Sequence, residues 1–314
     1  MAVSGGSDSL ALMHLLARLA LARKWPAPVV LTVDHGLRKA SAGEARQVAA
    51  WAKKAGLKTH VLVWRGKKPK TGIEMLAREA RYRLMGAWMA KQDIATLFVG
   101  HTEDDQAETF LLRLARGSGL DGLAAMRAEA PWPVAGFGGL MVARPMLGLS
   151  RTELREYLVS QDQEWLEDPM NEDASFDRVK LRRARAALEE AGLSAARIAA
   201  AAGHLARARE SLEAVTEAVL ERAVRQDQRG LLLDPKVLAA APRELGLRAL
   251  ASVLMVVSGQ PYRPRFDSLE RLFDELSRAG ARTSATLHGC HIGRAPAQFA
   301  PFSLLVRRES PRKA

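Results

Sequence analysis

The first hundred residues alternate short β-branched runs with longer amphipathic ones, and few folds accommodate that order. The runs "VVLTV" (29–33), "THVLV" (59–63) and "ATLFVG" (95–100) read as short buried strands. Between them, "SAGEARQVAAWAKKAG" (41–56) and "GIEMLAREARYRLMGAWMAKQ" (72–92) carry apolar residues at helical spacing. Strand, helix, strand, helix is the order of a parallel sheet with crossover helices, an α/β architecture. Such sheets bind ligands beyond the carboxyl ends of their strands. The informative residues are therefore those that follow strands: Ser4 to Ser9, Asp34-His35, and His101 to Glu108.

The earliest of these segments, "AVSGGSDSLALMHLL", puts two glycines and three serines directly before a helical run. Amides at a helix N-terminus point outward unpaired, and the helix dipole favours negative charge there. Glycines let that backbone approach a phosphate closely. Leu10, Leu12, Met13, Leu15, Leu16 and Leu19 fit one broad face of the helix that follows. An ordinary surface helix with a glycine-rich lead-in is the alternative. In "EDDQAET", Asp105 and Glu108 are three apart and Asp104 and Glu108 four apart, so a helix places them on one face. Neighbouring carboxylates repel and call for a cation between them; a solvated acidic helix start is the plainer reading.

Downstream, "APWPVAGFGGLMVARP" (130–145) reads as a long loop or hairpin. Ser150 with Glu153 three residues on makes a capping box for a helix. Asp168-Pro169 and Asn171 form a turn ahead of a basic helix. An alanine-rich helix from about 194 to 225 connects to a smaller α+β unit, with helices at 242–258 and 266–279 and strands near 284–288 and 302–307. Three segments follow: 1–192, a linker helix over 193–228, and 229–314. Forty-seven Lys and Arg against 35 Asp and Glu leave +12, divided equally between residues 1–199 and 200–314. A folded chain this basic points to a polyanionic partner, most simply nucleic acid. Cys290 is the only cysteine, which excludes an intramolecular disulfide, a zinc cluster and a paired-cysteine redox site. The Leu-rich run after the opening loop is short and interrupted by His14, Arg18 and Arg23, so neither a signal peptide nor a membrane span is expected and the chain reads as cytoplasmic.

Ser4-Gly5-Gly6-Ser7-Asp8-Ser9 matches the SGGxDS signature of the PP-loop ATP pyrophosphatase superfamily. Together with "VDHGLRKASAGEA" (33–45), "LAREARYRLM" (76–85), "GHTEDDQAETFLLRLARGSGLDGL" (100–123), "RPMLGLSR" (144–151) and "WLEDPMNEDASFDRVKLR" (165–182), it makes the chain resemble the tRNA(Ile)-lysidine synthetase family. The C-terminal unit resembles the family more loosely, near Thr286–Gly289. The resemblance implies a Rossmann-like sheet with helices on both faces, and ATP-driven ligation of lysine to the wobble cytidine of a tRNA(Ile). The loop has no Walker lysine, so its amides would hold pyrophosphate as the leaving group. ATP would then contact Ser4, Gly5, Gly6, Ser7, Asp8, Ser9, His35, Gly100, His101 and Arg116. His35 and His101 read equally well as structural histidines, and Arg116 as a helix cap. Asp8 would bind Mg²⁺, or simply favour the helix dipole. Asp105 and Glu108 would act with Asp8 in catalysis, holding the ammonium of lysine and taking its proton. Tyr82 could stack on a base, though an aromatic in an amphipathic helix is more often core. A homodimer is compatible with the sequence. The rival readings are a PP-loop tRNA thiolase, whose cytidine-type members use paired cysteines, and a non-catalytic tRNA-binding protein with a structural nucleotide pocket.

Two departures stand out. Only Ala2-Val3 precede the loop where a strand of about five residues is wanted, which predicts that the native chain starts upstream of Met1. Val179 stands where the family has Asn. Arg81, Arg178, Arg182 and Arg185 are the expected tRNA contacts, the last three on one helical face at the spacing that tracks a phosphate backbone. Arg182→Ala should accordingly weaken cognate and non-cognate tRNA alike and lower the salt slope of binding by about one unit. An unchanged slope with loss of cognate binding alone would make this helix a reader of bases.

Overall fold

The computed structural model describes residues 1–66, 68, 71–167, 181, 184–260, 262–278 and 284–309. The chain divides into two compact units, Met1–Ala206 and Arg207–Ala314. The first begins with helix α1 (Ser7–Arg23), strand β1 (Val30–Asp34), α2 (Ser41–Lys54), β2 (Thr59–Val63), α3 (Ile73–Lys91) and β3 (Thr96–Phe98). It continues through α4 (Glu103–Ala115), α5 (Leu120–Leu123), β4 (Glu129–Pro131), β5 (Met141–Ala143), α6 (Arg151–Ser160) and α7 (Arg185–Glu190).

β1 and β2 pair in parallel, as do β3 and β5, while β4 adds to β5 in antiparallel sense and makes residues 129–143 a hairpin. Residues 1–3 join the two groups. The Ala2 amide donates to Phe98 O at 2.9 Å, the Val3 amide to Leu31 O at 2.9 Å, and the Leu31 amide to Met1 O at 2.8 Å. The order across the sheet is thus β2, β1, residues 1–3, β3, β5, β4. From the opening segment the chain passes first to one side and later to the other. The loop after Val3 therefore leaves the sheet at its topological switch point, where open α/β sheets place their ligands.

Both faces of the sheet are covered. Leu10, Leu12 and Met13 of α1 and Val48 of α2 pack with Val3, Val30, Met146 and Leu158 on one side. Met85 and Met89 of α3 pack with Leu31, Leu97, Trp132 and Val142 on the other. Tyr82 belongs to that second core, its ring edge-on to Trp132 at 5.3 Å, and this buried position excludes the base-stacking role. Two burial expectations are corrected. Val61 and Val63 are 41% and 45% exposed, because β2 pairs only with β1 and lies at the sheet edge. Leu19 is also exposed, lying off the buried stripe of α1.

The division between the units falls within α8 (Ala195–Ala223). The second unit continues with β6 (Val224–Asp227), β7 (Gly230–Leu233), α9 (Pro235–Ala240), α10 (Arg243–Ser258), α11 (Phe266–Ser277), β8 (Ser284–Leu287), β9 (Cys290–Arg294) and β10 (Leu304–Arg308). Its antiparallel sheet runs β6-β7-β10-β9-β8 and packs Leu233, Ile292 and Val306 against Leu250 and Leu254 of α10. The helix expected through residue 228 ends at Ala223, where the chain turns into the β6–β7 hairpin. The turn requires Gly230: at φ +152° its missing Cβ would lie 2.2 Å from Val306 O. Cys290 is buried in this core, its Sγ donating to Leu254 O at 3.3 Å, and burial raises the thiol to about 11. Among the described residues, no helix is long and apolar enough to cross a membrane.

Candidate active site

The loop at the switch point is held by its own serines. The Ser4 amide donates to Ser9 Oγ at 3.1 Å, and Ser9 Oγ donates to Gly6 O at 2.9 Å. Gly6 occupies the N-cap position of α1, and no side chain caps that helix. Its first-turn donors suit an anion. Gly5 has φ +97°, and a Cβ there would meet Leu166 Cδ1 at 2.7 Å, while its carbonyl accepts from the Leu166 amide at 2.9 Å. Gly100 lies directly behind the loop: a Cβ would fall 2.9 Å from Asp8 O and 3.1 Å from Ser9 Cα. The end of β3 and the start of α1 therefore pack backbone to backbone.

Beside this loop stand the acidic residues of α4. Thr102 and Asp105 form a capping box, with Asp105 Oδ2 accepting from the Thr102 amide at 2.9 Å and its hydroxyl at 3.0 Å. Asp104, Asp105 and Glu108 are all buried. The cation they call for comes from a residue outside the expected site. Arg151 Nε lies 3.1 Å from Asp8 Oδ2, and its Nη2 lies 3.7 Å from Asp105 Oδ1. Burial opposes the charge of Arg151, but Asp8, Asp105 and Glu108 outweigh it and raise the affinity of the guanidinium for its proton. The Arg151 backbone amide donates to Asp104 Oδ2 at 2.8 Å. Ser7 Oγ donates to the other Asp8 oxygen at 3.0 Å. The two carboxylate groups singled out from the sequence thus meet around one guanidinium. A signal for Arg151 was present: it is the first residue of α6, at the positive end of the helix dipole, where a cation is disfavoured unless acids hold it.

The two histidines lie in a cationic setting. Arg144 Nε donates to His101 Nδ1 at 3.2 Å, which makes that nitrogen the unprotonated one. Burial lowers His101 to about 4, against the pull of Asp105 and with help from Arg144, Arg78 and Arg81. Burial likewise lowers His35 to about 4, reinforced by Arg81 and Lys68 and opposed by Asp34. His35 Nδ1 is buried with no hydrogen-bond partner among the described residues, and its ring stands edge-on to Trp64 at 6.1 Å. Arg81, expected on the tRNA side, acts electrostatically on both histidines.

Both histidines are neutral in the folded chain and protonate near 6.5 when unfolded. Between pH 6.5 and 4 the unfolded state binds more protons, so stability falls as pH falls through that window. His101→Gln should lose less stability than the parent chain between pH 7 and pH 5. Urea unfolding at the two pH values checks this, and equal losses would remove His101 from the acid response.

Some expected site residues are not brought to this cluster. Arg116 is the exposed C-cap residue of α4 and stands roughly 16 Å along the helix from Asp105. Arg185 pairs with Asp104 at 2.8 Å and with Glu189 at 2.8 Å. Arg178, Val179 and Arg182 lie outside the described residues.

An uncapped, glycine-flanked helix start at the switch point of a parallel sheet, bordered by acids and cations, defines a nucleotide-dependent enzyme of the PP-loop class. Residues 1–187 match the PP-loop domain family. Among solved structures, the chain is similar in fold to the U34-tRNA thiolase NcsA from Methanococcus maripaludis, with TM-score 0.52 and 15% identity over 68% of this chain and 71% of that one. It is 40% identical over 291 residues to a tRNA(Ile)-lysidine synthase from Ruegeria pomeroyi, covering 93% of this chain and 67% of the relative. It is 41% identical to one from Methylobacterium nodulans, covering 100% of this chain and 91% of the relative. The chain belongs to the tRNA(Ile)-lysidine synthase family.

Proposed function

We propose that this chain ligates lysine to the wobble cytidine of a tRNA(Ile) bearing a CAU anticodon, consuming ATP and releasing AMP and pyrophosphate. The observation that carries the reading is the meeting of Asp8, at the uncapped start of α1, with Asp105 at the Arg151 guanidinium, within the field of Glu108. A phosphate-binding backbone and an ammonium-binding set of carboxylates stand side by side, as a reaction between a nucleotide-activated base and an amine requires. Cytosine O2 attacks the α-phosphate of ATP, pyrophosphate leaves, and the base is adenylated. The lysine ε-amine, once deprotonated, attacks C2, and AMP leaves with the oxygen. The amine has a pKa of about 10.4 in water, so a carboxylate that holds the ammonium and accepts its proton serves both binding and attack.

Mg²⁺ fits the donor chemistry, since it takes one or two protein carboxylates alongside substrate phosphates, and Asp8 is the residue we assign to it. When bound, it would neutralise charge on the phosphates. Residues of the second unit and the Arg178–Arg185 segment are assigned to tRNA contact, and the reaction is placed in the cytoplasm. The thiolase alternative is disfavoured because Cys290, the chain's only cysteine, is buried with a raised pKa, away from any paired thiol.

Incubation with ATP, labelled L-lysine and the CAU-anticodon tRNA(Ile) tests the reading: ATP-dependent label in tRNA is expected, and label in protein alone or none at all would overturn it. Within that assay, Glu108→Gln keeps the side chain's shape and removes its charge. A charge-assisted hydrogen bond is worth roughly 1.5–3 kcal/mol, so the KM for lysine should rise about tenfold or more with little change for ATP. A raised ATP KM with unchanged lysine KM would reassign Glu108 to the nucleotide.

A further inference from the structure

We infer that Arg151 is a positioning residue that makes amine binding conditional on ATP: without nucleotide, its guanidinium fills the place between Asp8 and Asp105 that a substrate ammonium needs. The inference rests on the reading of Asp105 and Glu108 as the amine site.

The geometry gives Arg151 two acidic partners from separate elements, Asp8 at 3.1 Å and Asp105 at 3.7 Å, with the side chain 20% exposed. Glu108 adds its field to theirs. The backbone of Arg151 is fixed. Its amide is bound to Asp104, and the preceding Leu149 carbonyl accepts from the Glu103 amide at 2.9 Å. Only the side chain is left to change partners. Its position at the start of α6 opposes the helix dipole, so the acids, not the helix, hold it where it is.

An ammonium at contact distance from Asp105 would meet the guanidinium already there and feel its repulsion, so the two cations compete for that carboxylate. An ammonium must therefore displace the guanidinium or wait for it to leave. A polyphosphate is the partner that draws a guanidinium away, since phosphate oxygens accept its paired N–H groups in a bidentate manner. Asp8 is the second residue of α1, so an anion on that helix start lies beside Arg151. Binding of ATP phosphates there turns Arg151 toward them and takes its guanidinium away from Asp105, opening that carboxylate to the amine. The enzyme then takes up lysine only when the nucleotide that activates the base is already in place.

Coupling between two sites is reciprocal, and its usual size is about 5–150-fold. L-Lysine is titrated calorimetrically into the full chain with and without Mg²⁺ and α,β-methylene ATP. The parent chain should bind lysine at least about tenfold more tightly with the analogue, and the analogue should bind more tightly with lysine by the same factor. Arg151→Met should bind lysine about equally in both conditions, whereas Arg151→Lys, which keeps a cation, should retain part of the dependence. Equal lysine affinity with and without the analogue in the parent chain overturns the inference while leaving the amine site standing. Lysine bound in no condition overturns the amine site and the inference together. The two titrations of the parent chain decide the matter even if Arg151→Met fails to fold.

Discussion

Replacing Asp8 with alanine should lower tRNA-dependent pyrophosphate release by about a hundredfold or more, so that the first chemical step fails along with the second. Asp8 stands in the first turn of α1, where its Oδ1 accepts from Ser7 Oγ and its Oδ2 meets Arg151. Its loss removes the carboxylate through which, among the described residues, the loop at the start of α1 pairs with Arg151. Arg151 is then drawn wholly toward Asp105, the side from which it must be released. The carboxylate assigned to Mg²⁺ is lost as well. Charge stabilisation of this kind is worth several kcal/mol, and each 1.4 kcal/mol or so is tenfold in rate. Release of pyrophosphate should be measured at saturating lysine, so that a weakened amine site does not mask the effect. Near-normal release would remove Asp8 from the first step and leave it a dipole-favouring residue of the helix start.

Gly100→Ala should be a strongly damaging single-methyl change in the first unit. The added Cβ would meet Asp8 O at 2.9 Å, Asp8 C at 3.0 Å and Ser9 Cα at 3.1 Å, all main-chain positions of the loop and helix start. Backbone cannot swing aside as a flexible side chain does, so α1 must shift away from β3. Overpacking of this sort costs about 1–3 kcal/mol, and misplacing a reacting group by about 1 Å can cost a hundredfold in rate. Gly6→Ala is the control. Gly6 has φ −71°, and the nearest atom to an added Cβ is Ser4 Oγ at 3.8 Å, so folding stability should hardly change. Thermal unfolding together with binding of an ATP analogue separates the two. Gly100→Ala with an unaltered melting temperature and unaltered nucleotide affinity would show that the close approach of β3 to α1 is dispensable.

The position of the phosphate loop was readable before any coordinates, because it follows from local chemistry. A glycine-rich turn between a strand and an amphipathic helix can be recognised within fifteen residues. The capping box of Ser150 and Glu153 formed as expected, as did the single acidic face of α4, since both depend on residues three or four apart. The short N-terminal strand also paired as the alternation requires. Val61 and Val63 were misjudged because β-branched composition marks a strand but does not say whether a neighbour covers it. Tyr82 went to the core because its helix packs that face against Trp132.

Other features had no local signature. Arg151 is 143 residues from Asp8, and Arg185 is 81 from Asp104, yet these pairs determine which charges are free. Arg81 carried no sequence signal linking it to His35 and His101, and the fold brings its charge to bear on both. Sequence by itself determined the α/β class, the loop and the types of group available for chemistry, because hydrophobic period and backbone permissiveness act over a few residues. Only the tertiary structure decided which cation neutralises which acid, because electrostatic partners are chosen by distance through space, and the folding of the sheet, not the order of the chain, sets that distance.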